Sequence, residues 1–114
     1  MATYAYLVAD QGSDFTAYFQ VLGPDSLPCD LTDYSVRGQI RQTYSSETAV
    51  PFDSILILDT LNGQIQFTLK GSTSRTMVAG RYVYDIEVYT VSPDSVTRIM
   101  EGILEITPAV TQPT

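Results

Sequence analysis

The chain has 114 residues, of which 44% are hydrophobic, and 13 acidic against 6 basic residues give it a net charge of −7. This length and apolar content predict one folded domain, and the acidic balance disfavours nucleic acid and anionic membranes as partners. The absence of histidine excludes catalytic triads that use an imidazole base and removes the commonest ligand of transition metals. A single cysteine, Cys29, excludes an internal disulfide.

The first third of the chain predicts three β-strands, because apolar and polar side chains alternate along it. A short strand is expected over residues 3–9, a second over 14–22 and a third over 34–42. Gly38 lies inside the third strand. A glycine at such a position predicts either a bulge or the close approach of a neighbouring segment.

The middle of the chain predicts a loop followed by a hairpin. Residues 43–53 are largely polar and are expected to form the loop. The continuous apolar run 55–58 predicts a strand that is buried on both faces or lies at a sheet edge. Asn62-Gly63 is the strongest turn signal in the chain and should connect this strand to an alternating strand over 64–69.

The last third of the chain predicts a helical turn and a second hairpin. Residues 72–78 carry no strand signal and could form one turn of helix, with Gly80 as its C-terminal cap. Two β-patterned runs follow, over 81–89 and 97–106, on either side of a turn at Ser92–Ser95. They are expected to pair as the last hairpin of an antiparallel sheet.

Seven β segments without a long helix predict an all-β fold, a single antiparallel immunoglobulin-like β-sandwich with extended termini. The disulfide and the tryptophan of antibody domains are missing, because the chain has one cysteine and no tryptophan. The sandwich is expected to span 1–106, and the segment 107–114, which contains two prolines, is expected to be an extended C-terminal arm. The inward-facing side chains predict a core of Phe15, Phe19, Val36, Ile40, Ile57, Ile65, Phe67, Tyr82, Tyr84 and Ile86.

One acidic cluster is expected on the paired strands of the last hairpin, from Asp85, Glu87, Glu101 and Glu105. Paired carboxylates could serve acid/base chemistry or hold Ca²⁺, but an exposed sheet face explains them more simply. Three arginines should lie close enough to compensate these charges: Arg37, Arg41 and Arg98. We therefore expect no catalytic residue, no metal site and no cofactor.

Tyrosine supplies most of the candidate interface residues, because it combines a large contact area with a polar tip. Ile99 and Ile103 join this group, since they are expected to share a strand face with Glu101 and Glu105, as in a face that meets another subunit. The C-terminal arm adds two more, because an extended segment can lie along a neighbouring chain. The full set of candidate interface residues is Tyr4, Tyr6, Tyr18, Tyr89, Ile99, Ile103, Pro108 and Val110.

Several short motifs, each a turn next to a strand, occur in a fixed order along nearly the whole chain. They are DQGSDF at 10–15, DLTDY at 30–34, GQIR at 38–41, NGQI at 62–65, GRYVYDIE at 80–87, RIMEG at 98–102 and TPAVT at 107–111. Their order and spacing resemble those of small virion structural proteins of tailed bacteriophages, including phages of cyanobacteria. The chain is similar, more loosely, to the N-terminal sandwich domain of phage baseplate upper proteins.

The resemblance implies a non-enzymatic virion structural protein that is made in the host cytoplasm and incorporated into the particle. Its expected partners are other virion proteins, and the chain is expected to be a homo-oligomer or to be present in many copies. A tail or baseplate position is slightly favoured over capsid decoration, in which the chain would act as a cement protein. Two other classes stay open: a carbohydrate or host-surface binding module, and a small hydrolase that uses the acidic cluster.

Overall fold

The computed structural model describes residues 2–91 and 94–111. In this part of the chain, no helix is long and apolar enough to span a membrane. The described residues form eight strands and one helical turn, α1 (Gly71–Ser74). The strands are β1 (Thr3–Asp10), β2 (Phe15–Gln20), β3 (Ser35–Arg41), β4 (Val50–Pro51), β5 (Ser54–Asp59), β6 (Gln64–Leu69), β7 (Gly80–Thr90) and β8 (Ser95–Thr107).

Within the described residues, the strands form two sheets that enclose one core. The larger sheet has the order β1-β8-β7-β3-β4 and the smaller one the order β2-β6-β5. This order matches an immunoglobulin-like sandwich in which β2, β6 and β5 take the places of strands B, E and D. The predicted all-β immunoglobulin-like fold is therefore confirmed. It departs from a purely antiparallel arrangement at one pair, because β1 runs parallel to β8.

Both predicted hairpins are present in the fold. β5 and β6 pair antiparallel, and Gly63 in the turn between them has a φ of +65°, which favours glycine. β7 and β8 pair antiparallel from Gly80↔Ile106 to Thr90↔Ser95. Residues 92 and 93 of the predicted turn lie outside the described residues.

The core is centred on three aromatic side chains from different parts of the chain. The ring of Phe52 lies 5.3 Å from that of Phe67 and 6.2 Å from that of Tyr84, both in edge-to-face geometry. These ring contacts join the segment around β4 to both sheets, because Phe67 belongs to β6 and Tyr84 to β7. The loop prediction for 43–53 is wrong at its end, because Val50–Pro51 pairs with β3 and Phe52 is buried.

Tyr82 fixes the start of β7 through a hydrogen bond to the preceding turn. Its hydroxyl donates to the backbone oxygen of Val78 over 2.6 Å, as does the corner tyrosine of many immunoglobulin-like domains. The prediction that Gly80 caps a helix is wrong. The helical turn already ends at Ser74, and Gly80 is the first residue of β7, opposite Ile106.

A bulge in the last hairpin overturns the expected position of Ile99. The register runs from Ile86↔Met100 to Glu87↔Arg98, so Ile99 is an extra residue on β8. An extra residue interrupts the alternation of side chains between the two faces of the strand, so that neighbouring residues can point to the same face. Ile99 is consequently buried, with 6% of its surface exposed, instead of lying on the outer face with Ile103.

Two glycines allow strands to approach each other closely. A Cβ added to Gly102 of β8 would lie 2.0 Å from the backbone oxygen of Ala5 in β1, and the φ of Gly102 is +155°. The same Ala5 oxygen accepts a 2.9 Å hydrogen bond from the hydroxyl of Tyr84. At Gly38, an added Cβ would lie 2.7 Å from the backbone oxygen of Asp85, which confirms the predicted close approach.

Replacing Tyr82 by phenylalanine should lower the free energy of unfolding by about 1 kcal/mol, because the partly buried hydrogen bond to Val78 is lost. The exposed Tyr18 provides the matched control, since Tyr18→Phe removes a hydroxyl that faces solvent. Chemical denaturation followed by circular dichroism measures both variants. Equal unfolding midpoints for the two variants would contradict a structural role for the Tyr82 hydroxyl.

Gly102→Ala should destabilise the fold by at least about 2 kcal/mol, because the new methyl group collides with the backbone of β1 at a strained φ. Gly80→Ala is the control for strain alone, since Gly80 has a φ of +142° and no atom within 4 Å of an added Cβ. Thermal unfolding of both variants isolates the contact with β1. If Gly80→Ala lowered the free energy of unfolding as much as Gly102→Ala, the close approach of β1 would contribute nothing to the cost of a side chain at position 102.

Candidate functional site

The outer face of the larger sheet carries most of the chemistry-bearing side chains that the sequence singled out. It is built by residues of β1, β8, β7 and β3 that point away from the core, because side chains alternate between the two faces of a strand. Two regions can be distinguished on this face. One is a charged region over β8, β7 and β3, and the other is an apolar and aromatic region at the β1 edge.

The charged region consists of ion pairs within the chain. Arg37 Nε lies 2.5 Å from Glu87 Oε1. The guanidinium group of Arg98 lies 3.3 Å from Asp85 Oδ2 and 3.3 Å from Glu101 Oε1. Arg37 and Arg98 therefore compensate the acidic cluster as predicted. Since these side chains are partly exposed, solvent screening keeps the contribution of each pair to stability small.

Among the described residues, no carboxylate lies within ion-pair distance of Arg41. Arg41 donates to the backbone oxygen of Ser46 over 2.5 Å and to Gln39 Oε1 over 3.0 Å, and it thereby holds the loop after β3. Beside it, a groove of about 470 Å³ runs over β3, β7 and β8, and Tyr44 lies exposed at its rim. A concave site of this size is large enough for a small ligand. In the described part of the chain, no three potential metal-ligating side chains come together.

Asp85 lies at the centre of the charged region and has a shifted pKa. Partial burial raises the pKa of its carboxyl group. Arg98 opposes this shift, whereas Glu87 and Glu101 add to it by repulsion. The protonated form of Asp85 is therefore more favourable in the folded chain than in the unfolded chain.

The aromatic region at the sheet edge, which we call the β1 patch, consists of Tyr4, Tyr6, Val8 and Ile103. The first three are side chains of β1 that are 63%, 44% and 50% exposed. Ile103 lies opposite Tyr6 on the neighbouring strand β8 and is partly buried beside it. The patch is an exposed row of apolar and aromatic side chains on a chain with a net charge of −7.

Hydrogen bonding and charge orient Tyr6 within the β1 patch. Its hydroxyl donates to a carboxylate oxygen of Glu105, and this hydrogen bond raises the pKa of Tyr6. The guanidinium carbon of Arg81 lies 6.0 Å from the centre of the tyrosine ring. Glu105, the fourth member of the acidic cluster, thus serves to position Tyr6.

The structure brings three of the eight candidate interface residues together, namely Tyr4, Tyr6 and Ile103. Tyr89 also lies on the outer face, but far from this group. It is six positions along β7 from Val83, the residue opposite Ile103, which corresponds to about 20 Å. The guanidinium carbon of Arg37 lies 4.3 Å from the centre of the Tyr89 ring. Tyr18 is 70% exposed on the opposite side of the sandwich, at the outer face of the smaller sheet.

Val8 is the member of the β1 patch that the sequence analysis missed. It follows Tyr4 and Tyr6 at the strand period of two, so the alternation over residues 3–9 already contained the signal. Ile99 was expected in this group but is buried in the core. The bulge that moves it cannot be read from the alternation of β8 alone.

The start of the C-terminal arm is held against the end of β1. Thr107 accepts a 2.9 Å hydrogen bond from the backbone N–H of Gln11 and donates one from its hydroxyl to Asp10. The N–H of Ala109 donates to the side chain of Gln11. Pro108 is exposed and Val110 almost fully so, while residues 112–114 lie outside the described part of the chain. The arm is thus tied to its own domain up to Ala109.

Comparison with known proteins adds little to this description. No protein-family model matches the chain, and no curated protein matches it. Among solved structures, the chain is similar to part of a family 123 glycoside hydrolase from Clostridium perfringens, with a TM-score of 0.43 and 12% identity. The match covers 96% of this chain and 24% of the hydrolase chain. A similarity this low supports no argument about function.

Asp85→Asn should change the pH dependence of stability in a defined direction. Because the folded-state pKa is raised, Asp85 contributes stability at low pH that is lost as the pH rises through that pKa. The stability of Asp85→Asn relative to the unsubstituted chain should therefore increase between about pH 3 and about pH 7. Denaturant unfolding across this range measures the difference.

Asp30→Asn provides a control of opposite sign. The hydroxyl and the backbone N–H of Thr32 lower the pKa of Asp30, so Asp30 contributes stability that is lost as the pH falls. Asp30→Asn should therefore lose relative stability as the pH rises over the same range. A parallel pH response in the two variants would contradict the effect assigned to the burial of Asp85.

Proposed function

We propose that the chain is a non-enzymatic structural protein that assembles with other proteins through the β1 patch. The observation that carries this proposal is the exposure of Tyr4, Tyr6 and Val8 on one face of an edge strand. Aromatic side chains are enriched in protein interfaces, where they bury large areas at low entropic cost. The surrounding carboxylates already have partners within the chain, so they form a polar rim around the patch.

The proposed setting is the virion of a tailed bacteriophage, on the basis of the sequence resemblance alone. A tail or baseplate position is the first choice, and decoration of the capsid is the alternative. Both require repeated identical contacts in each particle, and a single-domain sandwich with an exposed apolar patch suits such contacts. The proposal therefore includes the location of the protein: it is made in the host cytoplasm and then incorporated into the virion.

A second candidate function is supported by the groove over β3, β7 and β8. Its polar wall and the exposed Tyr44 at its rim offer hydrogen bonds and one stacking surface, as a carbohydrate-binding module needs. Binding of the isolated domain to a glycan array, abolished by Tyr44→Ala, would favour this function. An array without any bound glycan would reject it.

Incorporation into particles tests the first proposal. Quantitative mass spectrometry of purified virions should detect the chain, at hundreds of copies for capsid decoration and at a few to a few dozen for a tail or baseplate position. The absence of the chain from purified particles would contradict the virion role.

Two matched substitutions then identify the surface that assembles. Tyr4→Glu introduces a charge into the β1 patch and should reduce incorporation at least about tenfold, because burial of an unpaired carboxylate is costly. Tyr18→Glu makes the same change on the opposite face and should leave incorporation unchanged. A loss caused by Tyr18→Glu alone would move the assembly surface to the smaller sheet.

A further inference from the structure

The outer edge of β1 is an open strand edge. β1 is the end strand of the larger sheet and pairs only with β8 among the described residues. Open edges attract further strands, and proteins commonly blunt them with charges, prolines, bulges or short length. Over Thr3–Ala9, β1 carries no charge and no proline, and its pairing with β8 is regular.

Two of the other edge strands are blunted, in contrast to β1. β4 has two residues, one of which is Pro51. β5 has an irregular pairing between Ile57 and Asp59. β1 is the longest of the edge strands, with eight residues. It is also incompletely covered, since the core-side chains of Ala5 and Leu7 are only partly buried.

The direction of the free backbone groups follows from two contacts. The N–H of Gln11 donates to Thr107, and the carbonyl oxygen of Ala5 lies against Gly102, so the odd-numbered residues face β8. Backbone groups alternate sides along a strand. The N–H and C=O groups of Tyr4, Tyr6 and Val8 therefore point to the open edge.

We infer that a second copy of this chain pairs antiparallel with β1 across a twofold axis at Tyr6. In this register Tyr6 lies opposite Tyr6 of the second copy, and Tyr4 lies opposite Val8. All three outward-facing residues then form hydrogen-bonded pairs, and the apolar side chains of the two β1 patches meet across the junction. The inference rests on the proposed assembly function, because it names a partner for the same surface.

A neighbouring register is less favourable. If the axis passed through Leu7, Asp10 would have to pair with Tyr4 of the other copy. The carbonyl oxygen of Asp10 already accepts a 3.0 Å hydrogen bond from the N–H of Ser13. The register centred on Tyr6 uses only backbone groups that face the open edge.

Charge does not prevent a second copy from pairing at this edge. Two chains that each carry a charge of −7 repel one another over most of their surfaces. Pairing through β1 places the acidic β8 strands of the two copies three strand spacings apart, about 14 Å, beyond the screening length of about 8 Å at physiological salt. Since one strand of each copy takes part, the interface is small and the dimer should be weak and concentration-dependent.

Sedimentation equilibrium of the purified chain tests this inference. The unsubstituted chain should pass from monomer to dimer as its concentration rises. Tyr6→Lys should raise the dissociation constant at least about tenfold, because it places two like charges directly opposite each other. Tyr18→Lys is the matched control and should leave the dissociation constant unchanged. A chain that stays monomeric at every concentration, or a dimer equally sensitive to both substitutions, would overturn the inference.

Cross-linking tests the register, in a Cys29→Ser background that removes the free thiol. Tyr6→Cys should give a disulfide-linked dimer on oxidation, because the two Cα atoms would be about 5.5 Å apart. Tyr4→Cys should not, since its two copies would lie about 13 Å apart along the strands. Cross-linking through Tyr4→Cys alone would overturn the register. If self-pairing fails while Tyr4→Glu still blocks incorporation, the proposed function survives without this dimer.

Discussion

The close contact between Gly102 and Ala5 is the constraint on which the functional surface depends. Because Gly102 of β8 has no side chain, the backbone of Ala5 in β1 can occupy the space that a Cβ of residue 102 would need. Tyr84 completes the arrangement from the core side by donating its hydroxyl to the same Ala5 oxygen. This contact allows β1 to pair closely with β8 at the end of the larger sheet. A side chain at position 102 would collide with Ala5 and destabilise the pairing that positions the β1 patch.

The sequence predicted most of the strands because their side chains alternate over six residues or more, and it predicted β5 from a continuous apolar run. It missed β4, since two residues are too few to show a period, and with β4 it missed the buried Phe52. The sequence pattern also did not predict the parallel pairing of β1 with β8. Strand direction and partner are set by contacts between residues almost a full chain length apart, and alternation within one strand does not encode them.

The candidate site was predicted in part. Tyr4, Tyr6 and Ile103 were expected at an interface, and the structure places them side by side, whereas Tyr18 lies on the other sheet. The expected position of Ile99 failed because one extra residue in β8 reverses the parity of the strand. In the charged region, Arg37 and Arg98 lie beside three of the four predicted carboxylates, whereas Arg41 contacts the loop after β3. The sequence did not predict that β1 has an open edge, because the order of the strands in the sheet decides which strand lies at its end.

The most direct test of the account is amide hydrogen exchange along β1, resolved by residue and measured in dilute and in concentrated solution. The amides of Ala5 and Leu7, which face β8, should be protected at both concentrations. Those of Tyr4, Tyr6 and Val8 should exchange freely in dilute solution and become protected as the concentration rises. If these three amides exchanged at the same rate at both concentrations, the open edge of β1 would not be the surface on which the chain assembles with itself.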